Sequence, residues 1–378
     1  TTSKDKTYDL TKFAATSSVA GASDGVKWTI SDGTAVTPLD MTNKSFAFGK
    51  NGTFTIKAAP DETLYFKGNA AEIVVTVEDI KFNVADGDKT ILADFSNEGY
   101  NLKFTNVTAD FGTFYEKSAL RFKTSVAWNE NGVKYTFPQA ITLKRGDKLV
   151  VEYYKDVTNK DHVMYANFAS KSSIFSVSLN KTWFGGTVFF ATSDFALDSI
   201  LINYNTANAV GAISRIFIEK ADLSDLPDGE TLVTGGIKRN TADWGRDTDT
   251  VPLQSPVTLT RNSIIGIKFR TKTTENLYIG INDLLGTKHG ELASLGIGVL
   301  SAPTVVSVAL SDTKFDKLFA SSDTVEMETL RLGSYEDGQA SKLLDVEWVS
   351  VRNIDYDNAV LIRNTRWSAT AGTAYGQT

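Results

Sequence analysis

The chain has 378 residues, 42% of them hydrophobic, a formal net charge of −6, no cysteine and only two histidines. Its length exceeds one ordinary hydrophobic core and predicts two or three domains. Without cysteine it has no disulfide framework, thiolate metal site or cysteine nucleophile; the dispersed charges form no basic stripe for nucleic acid; and no apolar run reaches the roughly 18 residues of a membrane helix.

The elements read in chain order as strands and turns. The N-terminus is polar and lacks a signal-peptide core, as expected of either a processed mature end or an end left after loss of an initiator Met. Strict alternation predicts half-buried strands at Thr53-Phe54-Thr55-Ile56-Lys57, around Ile216-Phe217-Ile218, and at Ile265-Gly266-Ile267-Lys268-Phe269. Turn signals punctuate them at Asn51-Gly52, Asn131-Gly132, Arg145-Gly146-Asp147 and Asp228-Gly229. Helical periodicity is almost absent, with one short helix expected over 312–320. The Thr, Ser, Asn and Asp content suits strands and turns.

Internal repetition sets the domain plan. Residues 141–154 align without a gap on 257–270: Ile141 with Val257, Leu143 with Leu259, Leu149 with Ile265, Val151 with Ile267 and Tyr153 with Phe269. A closing element recurs with one spacing as Val77, Ile80, Phe82, then Ile213, Ile216, Ile218, then Val346, Val349, Val351. Each copy precedes an acidic turn and a fresh apolar pair. The predicted fold is therefore all-β, a tandem of antiparallel β-sandwich, jelly-roll-like modules: a short sandwich over 1–85, longer ones over 86–224 and 225–354, and a C-terminal strand or extension over 355–378. The extension opens like another module and stops. Three expectations stay open for it: the cut end of a longer chain, a tail docked on its own domains, or a strand donated to a neighbouring module or subunit.

Catalytic constellations are sparse. His162 and His289 each stand alone, without metal-site spacing. Gly21-Ala22-Ser23-Asp24-Gly25 has the letters of a nucleophile elbow but not its strand–helix context, so it reads as a loop. The segment Gly296-Ile297-Gly298 lacks the third glycine and helix of a dinucleotide site. No catalytic residue and no metal ligand is assigned. No cofactor is expected, although the Asp/Gly turns have the chemistry for a structural Ca²⁺.

Aromatics in polar settings carry the functional signal. Trp128 sits beside Asn129, Glu130 and Asn131; Trp183 precedes Phe184-Gly185-Gly186; Trp244 lies between Asp243 and Gly245-Arg246-Asp247. An exposed indole packs on the C–H face of a sugar ring while polar neighbours bond its hydroxyls. The expected glycan-binding set is Trp128, Trp183, Trp244, Tyr135 and Arg246. The competing reading is that each Trp plugs the open end of its own sandwich.

The opening Thr90-Ile91-Leu92-Ala93-Asp94-Phe95-Ser96, the Ile141–Tyr154 hairpin and the closing Ile213-Ser214-Arg215-Ile216-Phe217-Ile218 resemble galactose-binding-like jelly rolls, the carbohydrate-binding modules of bacterial polysaccharide-degrading proteins. The start, Tyr8-Asp9-Leu10-Thr11-Lys12-Phe13, is similar in style to secreted Bacteroidetes glycan-utilisation proteins. The resemblance implies a non-catalytic carbohydrate-binding or adhesion protein, extracellular or on the cell surface, with a polysaccharide or glycan as partner. Two other classes are carried beside it. One is a structural β-sandwich subunit of a virion fibre, virion decoration or surface filament. The other is a glycan-active enzyme, for which paired carboxylates follow no spacing rule.

Overall fold

The computed structural model describes residues 2–4, 6–12, 25–42, 45–60, 70–155, 163–168, 171–175, 183–240, 247–270, 276–282, 293–294, 304–335, 343–354, 367–370 and 373–375. The chain divides into two compact units: Thr1–Asp222 with Gly236–Asp243 and Gln339–Leu344, and Leu223–Gly235 with Trp244–Gly338 and Asp345–Thr378. The first 85 residues thus share a unit with the segment that follows them.

The N-terminal segment forms β1 (Tyr8–Asp9), β2 (Val26–Ser31), β3 (Val36–Pro38), β4 (Ser45–Phe46), β5 (Gly52–Pro60) and β6 (Ala71–Val77). β3-β2-β5-β6 make one antiparallel sheet, and β1 pairs with β4. Alternation in β5 buries Phe54 and Ile56, and Phe48 packs on Phe54 with ring centroids 4.9 Å apart. A short sandwich was expected here; the described residues form one sheet and a two-stranded ribbon. The expected closing strand also ends early. β6 stops at Val77, and Ile80 and Phe82 pack instead against the core of the next segment. The Tyr100 hydroxyl helps anchor this junction, donating to the Lys81 carbonyl at 3.0 Å and accepting from the Asp94 N–H at 2.7 Å. Burial pushes its pKa up to about 12.

The middle segment contains β7 (Val84–Asp86), β8 (Lys89–Asp94), β9 (Leu102–Thr105), β10 (Val107–Phe114), β11 (Lys117–Thr124), β12 (Gly132–Leu143), β13 (Asp147–Lys155), β14 (Met164–Phe168), β15 (Lys171–Phe175), β16 (Phe184–Phe190), β17 (Phe195–Tyr204) and β18 (Val210–Lys220). One sheet carries the order β8-β18-β13-β16, the other β12-β17-β14-β15. The first of these strands pairs with the last, and β12, β13, β14, β16, β17 and β18 alternate between the sheets with β15 as a hairpin partner of β14, which is jelly-roll topology. β9 extends the second sheet beyond β12. The β10–β11 hairpin extends the first beside β18. The core lies between the sheets: Leu149, Val151, Tyr153, Ile213 and Ile216 from one, Val133, Tyr135, Ile200, Ile202 and Tyr204 from the other, none more than 2% exposed. Each such aliphatic side chain contributes roughly 1.5–3 kcal/mol by leaving water.

The third segment repeats that plan with β19 (Thr231–Asn240), β20 (Asp247–Thr260), β21 (Ser263–Phe269), β22 (Asn276–Ile281), β23 (Ala293–Ser294), β24 (Thr304–Ala309), β25 (Thr324–Tyr335) and β26 (Leu343–Asn353). Its sheets are β19-β26-β21-β24 and β20-β25-β22-β23. The expected helix is a 3₁₀ turn, Thr313–Phe319, N-capped by Asp312, whose side chain accepts from the Lys314 N–H. In the C-terminal extension β27 (Trp367–Thr370) pairs with β28 (Thr373–Tyr375). The apolar run 359–362 lies outside the described residues, as do His162, His289 and the serine loop at 21–24.

The sequence repeat is physical. In each copy of the aligned 14 residues, one strand enters a turn and the next strand joins the opposite sheet. The Asp147 carboxylate accepts from the Lys144 N–H at 2.7 Å, and at the aligned position the Ser263 hydroxyl accepts from the Thr260 N–H at 2.8 Å. The register breaks also coincide: β12 against β17 at Thr136/Ile141, and β20 against β25 at Pro252/Val257.

On the outer side of β13 and β18, Glu152 accepts from Arg215 at 2.6 and 3.0 Å and from the Ser214 hydroxyl at 3.0 Å. Burial raises its pKa, but Arg215, Lys117 and Ser214 together outweigh burial and hold the carboxyl below the ordinary value. A carboxylate depressed on folding stabilises above its unfolded value, about 4.3, and loses that stabilisation as pH falls through the folded value. Chemical denaturation between about pH 3 and 7 should therefore show Glu152→Gln less stable than the parent at neutral pH and less sensitive to acid. A second substitution reads the core. Tyr135→Phe removes the bond from its hydroxyl to the Leu92 carbonyl, 2.9 Å long, and should cost about 1 kcal/mol in thermal unfolding.

Candidate functional site

β11 and β12 are joined by a turn that carries Trp128. Trp128 and Asn129 both have left-handed backbone, with φ of 58° and 56°. That conformation is unusual for a bulky side chain and persists only where surrounding bonds hold it. Here they do. The Trp128 N–H donates to the Tyr204 carbonyl at 2.9 Å. The Asn131 amide donates to the carbonyls of Ala127 and Trp128 at 3.0 and 2.8 Å, and accepts from the Asn106 amide at 2.7 Å. The Asn203 amide donates to the Asn129 carbonyl at 2.8 Å and accepts from Asn167 at 3.1 Å.

The result is a half-exposed aromatic pair on a fixed support. Trp128 is 47% exposed, and its ring lies 4.8 Å from Tyr165, tilted by 43°. Tyr165 belongs to β14, whose alternation buries Met164, Ala166 and Phe168 and turns Tyr165 and Asn167 to the outer face. Burial raises the pKa of the Tyr165 hydroxyl. Strand register extends this face across the sheet. Tyr165, Asn203, Gly132 and Thr105 form one row; Asn167, Leu201, Lys134 and Lys103 form the next. Gly132 is required by close approach, since a side chain there would collide with the Ile202 carbonyl. The Tyr165 hydroxyl and the Asn167 amide oxygen have no protein partner among the described residues. An apolar ring face beside open hydrogen-bonding groups suits a sugar, which presents C–H and hydroxyl faces together.

The other expected residues lie elsewhere. Tyr135 is 1% exposed in the sandwich core, within 5.4 Å of the Tyr100 ring and bonded to Leu92. Its place in the glycan-binding set is corrected: alternation along β12 points it inward, and burial pushes its hydroxyl pKa up. Trp183 is half-buried on the outer face of the opposite sheet, where the tip of the β10–β11 hairpin folds over it. The Trp183 indole N–H donates to the Phe114 carbonyl at 3.2 Å, the Lys117 ammonium lies 5.7 Å from the indole, and Tyr154 packs 6.0 Å from it. Tyr115, at φ 48° in the hairpin turn, stacks on Tyr154 at 4.6 Å. Trp183 therefore pins a hairpin. Trp244 and Arg246 lie outside the described residues.

Tyr165, Asn167 and Asn203 escaped the sequence reading, in which Asn131 figured as a turn residue beside Trp128. A usable signal was present in Met164-Tyr165-Ala166-Asn167-Phe168, where aromatic and amide alternate with core residues. Among the described residues no three His, Asp or Glu side chains gather as a cation site. In the turn after β2 the Asp32 carboxylate accepts from the Thr34 and Ala35 N–H groups and from Lys50.

Two substitutions separate exposed from packed indole. Trp128→Ala should hold stability within about 0.5 kcal/mol of the parent, because it removes a half-exposed side chain and leaves the turn's bonds in place. Trp183→Ala should cost more, about 1–3 kcal/mol, by releasing the hairpin tip. Thermal unfolding of the two variants checks the difference.

No family model and no curated protein matches the chain. Among solved structures it is similar to the N-terminal CBM22 tandem domain of Xyn10C from Paenibacillus barcinonensis, at 14% identity and TM-score 0.26 over 71% of this chain and 99% of that one. It is also similar to carbohydrate-binding modules from the β-sandwich superfamily, at 9% identity and TM-score 0.20 over 51% and 85%. A third is the M60 catalytic domain with the CBM51-1 and CBM51-2 domains of Clostridium perfringens ZmpB, at 7% identity and TM-score 0.16 over 86% and 51%. The site described above stands on this chain's own residues.

Proposed function

We propose that the protein is a non-catalytic carbohydrate-binding or adhesion protein, located outside the cell or on its surface, whose ligand lies on the outer face of β14, β17, β12 and β9. The observation that carries this reading is the Trp128–Tyr165 pair, exposed on a turn that four asparagines hold rigid. Rigid aromatic anchors bind with little loss of side-chain entropy. Affinity gel electrophoresis over a panel of plant, microbial and host polysaccharides tests the reading. The parent should be retarded by at least one polymer, and Trp128→Ala and Tyr165→Ala should each bind about tenfold or more weakly while remaining folded. A parent retarded by no polymer, or variants that bind as the parent does, would overturn it.

A second reading, a structural subunit of a filament or virion, has one observation in its favour. β6 is an edge strand with Ile73 and Val74 exposed to 61% and 68%. Among the described residues only Thr2 bonds to its outer edge, at Thr76 and Glu78. Such edges are usually blunted by charge or proline, as Pro38 does for β3 on the opposite edge. A second copy fits antiparallel about Ile73, which sets Glu72 against Val74 with no like charges opposed. In this reading size-exclusion chromatography shows dimers or polymers that Val74→Lys returns to monomer; a monomeric parent excludes assembly through β6.

A further inference from the structure

Resting on the carbohydrate-binding reading of the same face, we propose that the ligand is an anionic glycan whose carboxylate or sulfate groups are held by Lys103 and Lys134. The two lysines are direct cross-strand partners on β9 and β12. Both turn outward: Val133 and Tyr135 beside Lys134 are buried, and Leu102 beside Lys103 packs on the core. Like charges placed opposite each other destabilise a sheet. An opposite charge between them would remove that penalty, and neither lysine makes an ion pair among the described residues. Asp198, farther along β17, accepts instead from the neighbouring Ser199 hydroxyl at 2.8 Å.

The pair shares its face with the aromatic platform. From Tyr165, β17 intervenes before Lys134, and the row shifts by one two-residue step. Ordinary sheet spacings make that about 12 Å. A short oligosaccharide stacked on Trp128 and Tyr165 would bring its next residues over the lysines. Two ammonium groups, each with three mobile donors, suit acids displayed along a polymer. The chain as a whole carries a net charge of −6, which argues against general adhesion to polyanions and for a local site.

The test uses the full chain in affinity gels and isothermal titration. The probes are polygalacturonate, the same polymer fully methyl-esterified, chondroitin sulfate, and neutral galactan and xylan. The parent should bind polygalacturonate or chondroitin sulfate, and the polymer bound tells carboxylate from sulfate. Binding should weaken at about 0.5 M salt and disappear on methyl esterification. Lys103→Ala/Lys134→Ala should bind the acidic polymer at least about tenfold more weakly, and should melt no lower than the parent because a repulsive pair is gone. Equal binding of neutral and acidic polymers, or unchanged binding by the double variant, overturns the anionic ligand while leaving the carbohydrate reading standing. If none of these polymers binds but the broader panel retards the parent, the anionic ligand alone is overturned; if neither panel binds, the carbohydrate reading fails and this inference fails with it.

Discussion

A sandwich keeps one face of every strand dry, and where the apolar pattern of a strand shifts phase its backbone must shift with it. β18 and β26 solve the problem in the same way. Ile213 and Ile216 both face the core although an odd spacing separates them, because Ser214 is an extra residue against β13: Glu152 pairs with Arg215 and Tyr153 with Ile213. In β26, Lys268 pairs with Trp348 and Phe269 with Val346, leaving Glu347 as the extra residue. Each bulge re-phases the closing strand, so that the residues after it return to the core. Both closing strands lie at the centre of their sheets, between the opening strand and β13 or β21. The dry core of each jelly roll depends on that one inserted residue.

The bulge also shapes the outer face. Ser214 and Arg215 both reach Glu152, which brings a carboxylate, a hydroxyl and a guanidinium together on the outer face. Nearby, Ala119, Tyr154 and Ala212 form a small buried cluster with Phe114 and Trp183 packed against it. The hairpin tip completes this cluster and covers Trp183 and Tyr154. On the opposite sheet no hairpin folds over Tyr165 and Trp128 among the described residues. There the polar work is done by amides bonding to backbone, a cheaper support than buried charge because no ion must be desolvated.

The two faces explain why similar sequence contexts gave different outcomes. Trp128 and Trp183 both sit among small and polar residues. Trp128 is raised on a turn held by backbone and amide bonds, and among the described residues the ring packed against it is Tyr165. Trp183 immediately precedes β16 and lies beneath the tip of a hairpin long enough to reach it across two strands. Local sequence does not encode which strand lies opposite, and that pairing decides whether an indole is a platform or a plug. Tyr135 makes the same point at shorter range: Gly132, Lys134 and Tyr135 are neighbours in sequence, and only the register of β12 separates the core residue from the two that face outward.

Alternation and the gapless match of 141–154 to 257–270 were sufficient to specify an all-β chain with two related jelly rolls, because burial of one strand face imposes a two-residue period on sequence and a repeated turn needs a repeated oxygen acceptor, here Asp147 and Ser263. The i, i+3, i+5 spacing of Ile213, Ile216 and Ile218 carried the bulge as well. The same spacing at Val77, Ile80 and Phe82 did not make a third closing strand, since the partner strand β5 begins at Gly52 opposite Val77, and Ile80 and Phe82 found an apolar surface on the neighbouring segment. The binding face was decided only in three dimensions. Trp128 and Lys134 share one stretch of chain, while Tyr165 and Asn203 come from two others, and cross-strand register, which depends on long-range pairing and not on local propensity, brings the three stretches together.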